Sequence, residues 1–241
     1  GHAWVAHRDD RGRVRPRGGL VNILALDAST YTGTVAVLRD GAVVAAGETA
    51  MRGARVERLM PAVADVLGAA GLVPGDIDLV VCGAGPGSFT SLRIAASIAK
   101  GIALGRAIPL VAVSSLVLIV AGLEPLPAPG RYLAVIDALR GEAYAQLVEV
   151  LTDPASVVLV GEPTLVANGD LAATARGLGA VTVGAGGEIP GIPHARGVAR
   201  LSTANRRIDG VNLATWEPSY GRLAEAQVRW EVVHGQPLLP R

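Results

Sequence analysis

The alternation of apolar and polar positions divides the chain into short strands and two long amphipathic helices. Apolar runs at 21–26, 34–38 and 43–49 read as three consecutive strands. Asp27-Ala28-Ser29-Thr30 makes a polar bend between the first two, and Arg39-Asp40-Gly41-Ala42 has the composition of a two-residue hairpin turn. From 54 to 70, Val56, Leu59, Met60, Val63, Val66 and Leu67 recur at helical spacing. Pro61 within that stretch shifts or kinks the start, and Gly71 with Pro74 closes it. A strand at 76–82 then runs into Gly83, Gly85, Pro86 and Gly87. Beyond them the spacing of Leu92, Ile94, Ala95, Ile98, Ala99, Ile102 and Ala103 predicts a helix over 88–105.

The second part of the chain repeats this order more weakly. A strand at 110–113 precedes a short helix at 115–121, for which Ser114 is the natural cap. Strands follow at 132–137 and 142–150 around Ala138-Leu139-Arg140-Gly141, then a strand at 157–160, a helix at 171–178 and a strand at 181–183. Residues 190–207 show no clear period. Near the C-terminus, between Tyr220 and Trp230, the pattern Leu223, Ala226, Val228 and Trp230 fits either an edge strand or a short helix. The expected architecture is α/β, with two mixed halves in tandem.

Composition narrows the function classes. The chain has 241 residues, 50% of them hydrophobic and 18% charged, enough for a sizeable core. Aromatics are only 3%, so core volume falls to Val, Leu, Ile and Ala. The net charge of +1 supplies no global field for nucleic acid or an anionic membrane. The most apolar stretch, 108–122, carries Ser114 and Ser115 and is too short for a membrane span, so a cytoplasmic location is expected. Cys82, inside an apolar run, reads as a small buried hydrophobe. Residues 1–20 are basic and aperiodic and read as a disordered extension or an expression remnant, outside the fold.

Several chemistries lose support on spacing. Gly83 to Ser91 lacks the Gly-Lys-Ser/Thr ending of a phosphate-binding Walker loop, and its glycines do not follow the dinucleotide fingerprint. His194 and His234 stand alone, so a zinc or iron centre is not indicated and no metal is expected in this chain. Ser88 is not in a Gly-x-Ser-x-Gly elbow, and a glycoprotease-type peptidase lacks an identifiable nucleophile or metal. Asp27 and Ser29 leave two readings open. They either satisfy turn N–H groups or, with Gly85 and Gly87, form a vestigial nucleotide site.

These residues resemble a known family. Asp27-Ala28-Ser29-Thr30, then Gly85-Pro86-Gly87-Ser88-Phe89-Thr90-Ser91-Leu92-Arg93-Ile94, Lys100-Gly101 and Pro109 through Leu116 look like TsaB, also called YeaZ. So does Ile136-Asp137-Ala138-Leu139-Arg140-Gly141-Glu142-Ala143-Tyr144. The resemblance is dense over 23–144 and thin afterwards. It implies two ribonuclease-H-like halves of the actin-like ATPase type, the second reduced. Residues 21–110 would form the first half and 111–241 the second, and the sequence leaves open whether the C-terminal segment around Tyr220 to Trp230 packs back on the first. It also implies a non-catalytic scaffold, partner of the TsaD threonylcarbamoyltransferase and of the ATPase TsaE. The product of that system is threonylcarbamoyladenosine beside the anticodon of tRNAs that read codons beginning with A. On this reading ATP and a metal belong to the partner subunits, the chain alone forms a homodimer, and tRNA is met only through the complex.

Three positions depart from the family pattern: Ala28 stands for Thr, Arg55-Val56-Glu57 for His-Ser-Glu, and Ser91 for Gly. They weaken nucleotide binding more than partner binding. Residues 54–70 and 88–105 hold more apolar and small positions than one sheet face needs, which marks an interaction surface. Leu59, Val63, Leu67, Ile94, Ile98 and Ile102 are the expected contacts. The rival to the scaffold reading is an actin-like-fold ATPase or small-molecule kinase that uses the Asp27 hairpin.

Overall fold

The computed structural model describes residues 21–53, 56–152, 155–201, 210–221 and 233–235. Strands β1 (Asn22–Asp27), β2 (Thr32–Arg39) and β3 (Ala42–Ala50) form an antiparallel meander. Its second turn places Asp40 and Gly41 at φ of 52° and 83°, the left-handed pair that an Asp-Gly hairpin needs. Strands β4 (Leu79–Gly83) and β5 (Leu110–Val113) add parallel to β1, giving the order β3-β2-β1-β4-β5.

Strands β1, β2, β4 and β5 are buried on both sides while β3 is an exposed edge, and strand alternation sorts the buried side chains into two cores. Leu24, Leu26, Val80 and Cys82 pack with helices α1 (Leu59–Ala69) and α2 (Phe89–Arg106). Ile23, Ala25, Leu79 and Val81 face the opposite way, toward helix α3 (Ser115–Ala121), every residue of which is buried. Ser114 caps α3 as expected, its hydroxyl accepting from Leu116 N–H at 3.2 Å.

The second half repeats the first with fewer parts. Strands β6 (Gly130–Asp137), β7 (Glu142–Thr152), β8 (Ala155–Ala167) and β9 (Val181–Gly184) lie in the order β8-β7-β6-β9. Helix α4 (Leu171–Gly177) covers the outer face through Leu171 and Ala175, and β6 and β7 share the inner core with α3. The shared strand order, with the fifth strand missing from the second sheet, is that of two ribonuclease-H-like halves, the second reduced.

Several boundaries differ from expectation for local reasons. Helix α1 starts at Leu59 rather than 54, with Pro61 in its first turn, where no intrahelical N–H is required. Glu57 caps that end by accepting from Leu59 N–H and, at 3.1 Å, from Met60 N–H. Strand β4 starts at Leu79 because Pro74–Asp76 forms a 3-10 turn. Strand β8 is much longer than 157–160 because it pairs with β7 over 155–160 and again over 164–167, on either side of a shift in register. Strand β5 hydrogen-bonds β4, so the first half runs past residue 110 to Val113.

The chain then returns to the first half. A 3-10 turn at Ala195–Arg200 packs on β2 and α3. Further on, Val211 N–H donates to Leu110 O at 2.8 Å and Trp216 joins the core under α1 and α2. The expectations for residues 1–20 and for Leu223, Ala226, Val228 and Trp230 lie outside the described residues.

Candidate functional site

Strand β1 delivers Asp27 to the head of the first sheet, beside the glycine turn that follows β4. Its carboxylate is wholly buried. Ser29 donates to Oδ1 twice, from N–H at 2.8 Å and from Oγ at 2.7 Å, and Ser115 Oγ donates to Oδ2. Burial pushes the Asp27 pKa up, and the bonds from Ser115 and Ser29 oppose that shift. Gly83 makes the seat possible, since a Cβ there would stand 1.7 Å from Asp27 Oδ2. Burial, with Asp27 alongside, also pushes the Cys82 thiol up, which keeps it a neutral, packed side chain.

The glycine turn is tied into the same node. Ala84 N–H donates to Val113 O, Gly85 N–H to Ser115 Oγ, and Ser88 N–H to Ser29 O. Gly85 sits at φ 85°, where a side chain would meet Ser219 O at 2.2 Å; Gly87 sits at φ 157°, against Ser29 O at 2.1 Å. Ser219 N–H also donates to Ala84 O. The glycines therefore admit close passage of the chain's own backbone. Of the four residues expected at a nucleotide site, Asp27 and Gly85 face these internal contacts, while Ser29 and Gly87 reach the cleft between the halves.

Two departures from the family pattern fit their surroundings. Ala28 is buried in the core beneath the bend, where its methyl packs with apolar neighbours. Ser91 is also buried, and its hydroxyl accepts from Ser88 Oγ at 3.1 Å. The third departure begins at Arg55, outside the described residues, although Glu57 has become the cap of α1.

The expected contact residues divide into two groups. Leu59, Val63 and Leu67 are buried against Leu24, Val35 and Val37, so they cannot present a surface; this corrects the expectation for α1. The helical period holds, but the stripe it marks is the one that covers the sheet. Ile94, Ile98 and Ile102 are half-buried on the flank of α2 and remain accessible. The outward face also includes Met60 on α1 and Ser97, Gly101 and Leu104 on α2, with Leu104 73% exposed. A groove of about 440 Å³ opens beside it, lined by Glu57, Phe89, Arg93, Ile94 and Ile98 among others. Leu104 was legible as the apolar residue out of phase with the buried Ala95, Ala99 and Ala103.

Between the halves lies a larger cleft of about 1170 Å³. Among the described residues no three His, Cys, Asp or Glu side chains converge as a metal site, and no helix is long and apolar enough to cross a membrane.

The fold and its joined hairpin node define a protein of the two-lobed ribonuclease-H-like class. Residues 49–160 match the family model for TsaD, tRNA N6-adenosine threonylcarbamoyltransferase. The tRNA threonylcarbamoyladenosine biosynthesis protein TsaB of Escherichia coli (strain K12) is 40% identical over 124 residues, 52% of this chain and 53% of that protein. TsaB of Bacillus subtilis (strain 168) is 38% identical over 132 residues, 53% and 55% of the two chains. The chain thus spans about half the length of the curated relatives it matches. Among solved structures, YeaZ from Pseudomonas aeruginosa superposes with a TM-score of 0.67 at 27% identity, covering 82% of this chain and 98% of that one. A protein described as similar to peptidase YeaZ from Pseudomonas aeruginosa gives a TM-score of 0.70 at 28% identity, over 84% and 100%. The chain is similar to the TsaB (YeaZ) family in sequence and in fold.

Proposed function

We propose that this chain is a non-catalytic scaffold of cytoplasmic tRNA threonylcarbamoyladenosine formation, docking a TsaD-type transferase through the outward face of α2. In this reading ATP and metal are held by partner subunits, a TsaE-type ATPase joins the pair, and the chain self-associates through the same face when alone. The observation that carries it is the accessible face of α2, where Leu104 is 73% exposed toward one end and a groove lined by Ile94 and Ile98 opens toward the other. Similarity to the two TsaB proteins supports the assignment to this modification. The closed hairpin supports the scaffold role over the kinase or ATPase reading, because the acceptors of Asp27 already serve Ser29 and Ser115.

Sedimentation velocity with the TsaD protein of the same cell tests this directly. Leu104→Glu should weaken the complex at least about tenfold, the effect of losing an interface anchor, while the melting temperature stays close to that of the unaltered protein. An unchanged complex would remove α2 from the interface. Calorimetry with Mg-ATP addresses the rival: tight binding with turnover by the isolated chain would favour an ATPase.

A further inference from the structure

The sequence holds four tyrosines and one phenylalanine, and four of these five rings (Tyr31, Phe89, Tyr144 and Tyr220) line the cleft between the halves. They come from distant points: the β1–β2 bend, the start of α2, strand β7 and the returning C-terminal segment. Tyr144 is buried in the inner core and Phe89 and Tyr220 are half-buried, but core filling does not account for Tyr31, which is 39% exposed at the cleft. Arg52 stacks its guanidinium over the Tyr31 ring at 3.4 Å, and the Phe89 and Tyr220 rings lie 4.5 Å apart at 51°. Arg140 also lines the cleft. Aromatic faces interleaved with guanidinium planes in an open groove are the chemistry that holds unstacked bases.

We propose that this cleft receives an unpaired nucleobase of an RNA strand, stacked at Tyr31 with Arg52 beside its phosphate. The cleft volume of about 1170 Å³ accommodates a nucleoside and its flanking phosphates. A free nucleoside triphosphate is the poorer fit. The N–H groups that would cradle its phosphates, those of Ala84, Gly85 and Ser88, already donate to Val113 O, Ser115 Oγ and Ser29 O. The net charge of +1 gives little sequence-independent attraction, so stacking has to supply most of the selectivity for unpaired strands.

This inference rests on the RNA-modification reading only for its choice of polymer. The test titrates the whole chain, at low salt, with a labelled RNA hairpin bearing an unpaired loop, with the corresponding loopless duplex, and with AMP. Fluorescence anisotropy should show binding to the hairpin and much weaker binding to the duplex, with AMP a poor competitor. Tyr31→Ala should weaken hairpin binding about tenfold, the loss of one base–aromatic stack, whereas Tyr31→Phe retains it. Arg52→Gln should lower the salt slope by about one counterion. Circular dichroism melting of each variant checks that the fold is intact. Absence of hairpin binding, equal affinity for the duplex, AMP competing as well as the hairpin, or indifference to Tyr31→Ala would each overturn the proposal. If the hairpin fails while TsaD capture persists, this inference falls alone; loss of capture with hairpin binding retained removes only the scaffold reading.

Discussion

Strands β1 and β6 occupy the same place in their two sheets, and each leads into Asp-Ala: Asp27-Ala28 and Asp137-Ala138. Each Asp accepts a hydrogen bond from the N–H two residues on, Ser29 at 2.8 Å and Leu139 at 2.9 Å. Both alanines are buried. The fourth strand of each sheet also ends in glycine, Gly83 in β4 and Gly184 in β9, pressed against the first strand. The carboxylates nevertheless differ in setting: Asp27 is sealed under Ser115 of α3, and Asp137 is exposed at the cleft. One local motif has become a structural node in the complete half and a surface turn in the reduced one. A local motif specifies its turn; the neighbours that close over it specify its role.

The largest expected contrast comes from removing the two carboxylates. Asp27→Ala should cost about 4 kcal/mol, since it strands three buried donors, while Asp137→Ala should cost below about 1 kcal/mol. Urea unfolding of both variants decides this, and equal losses would dissolve the distinction.

The joint between the halves should show in the pH profile. His194 is buried, its Nδ1 accepting from Arg196 N–H at 3.1 Å and its Nε2 standing 3.4 Å from Glu48. Arg196 also pairs with Glu124 at 2.7 Å. Burial, with Arg196 adding to it and Glu124 opposing, lowers the His194 pKa to about 4. The unfolded chain therefore binds the proton first. Its contribution is complete above about pH 6.5 and is lost as the pH falls toward 4, by about 3 kcal/mol. Asp27, with a raised folded pKa, acts in the opposite sense on acidification. Comparison with His194→Gln isolates the histidine, and a difference between the two proteins that does not vary with pH would contradict this assignment.

A smaller effect is expected from crowding the node. Gly83→Ala pushes a methyl into the Asp27 carboxylate and should cost about 2 kcal/mol, measured in the same urea series. A neutral result would mean that the first hairpin yields as readily as the second.

Much of the fold was legible because it rests on local rules. Alternation marked the strands, Asp40-Gly41 marked the hairpin turn, and Ser114 marked the α3 cap. The candidate site was less legible. The period of Leu59, Val63 and Leu67 identified an apolar stripe, yet a period does not say which of two possible layers covers the stripe. The aromatic rings of the cleft lie too far apart in sequence for spacing to join them.

Contiguous residues were enough to specify the two α/β halves, the glycine turn before α2 and the resemblance to the TsaB family, because strand period, turn chemistry and motif order are all local. It took the packed molecule to establish that Asp27 is a buried node, that Leu104 rather than Leu59 faces outward, and that four aromatic rings share one cleft. Those outcomes depend on what packs over each residue, and burial is set by partners far away along the chain as well as by near neighbours.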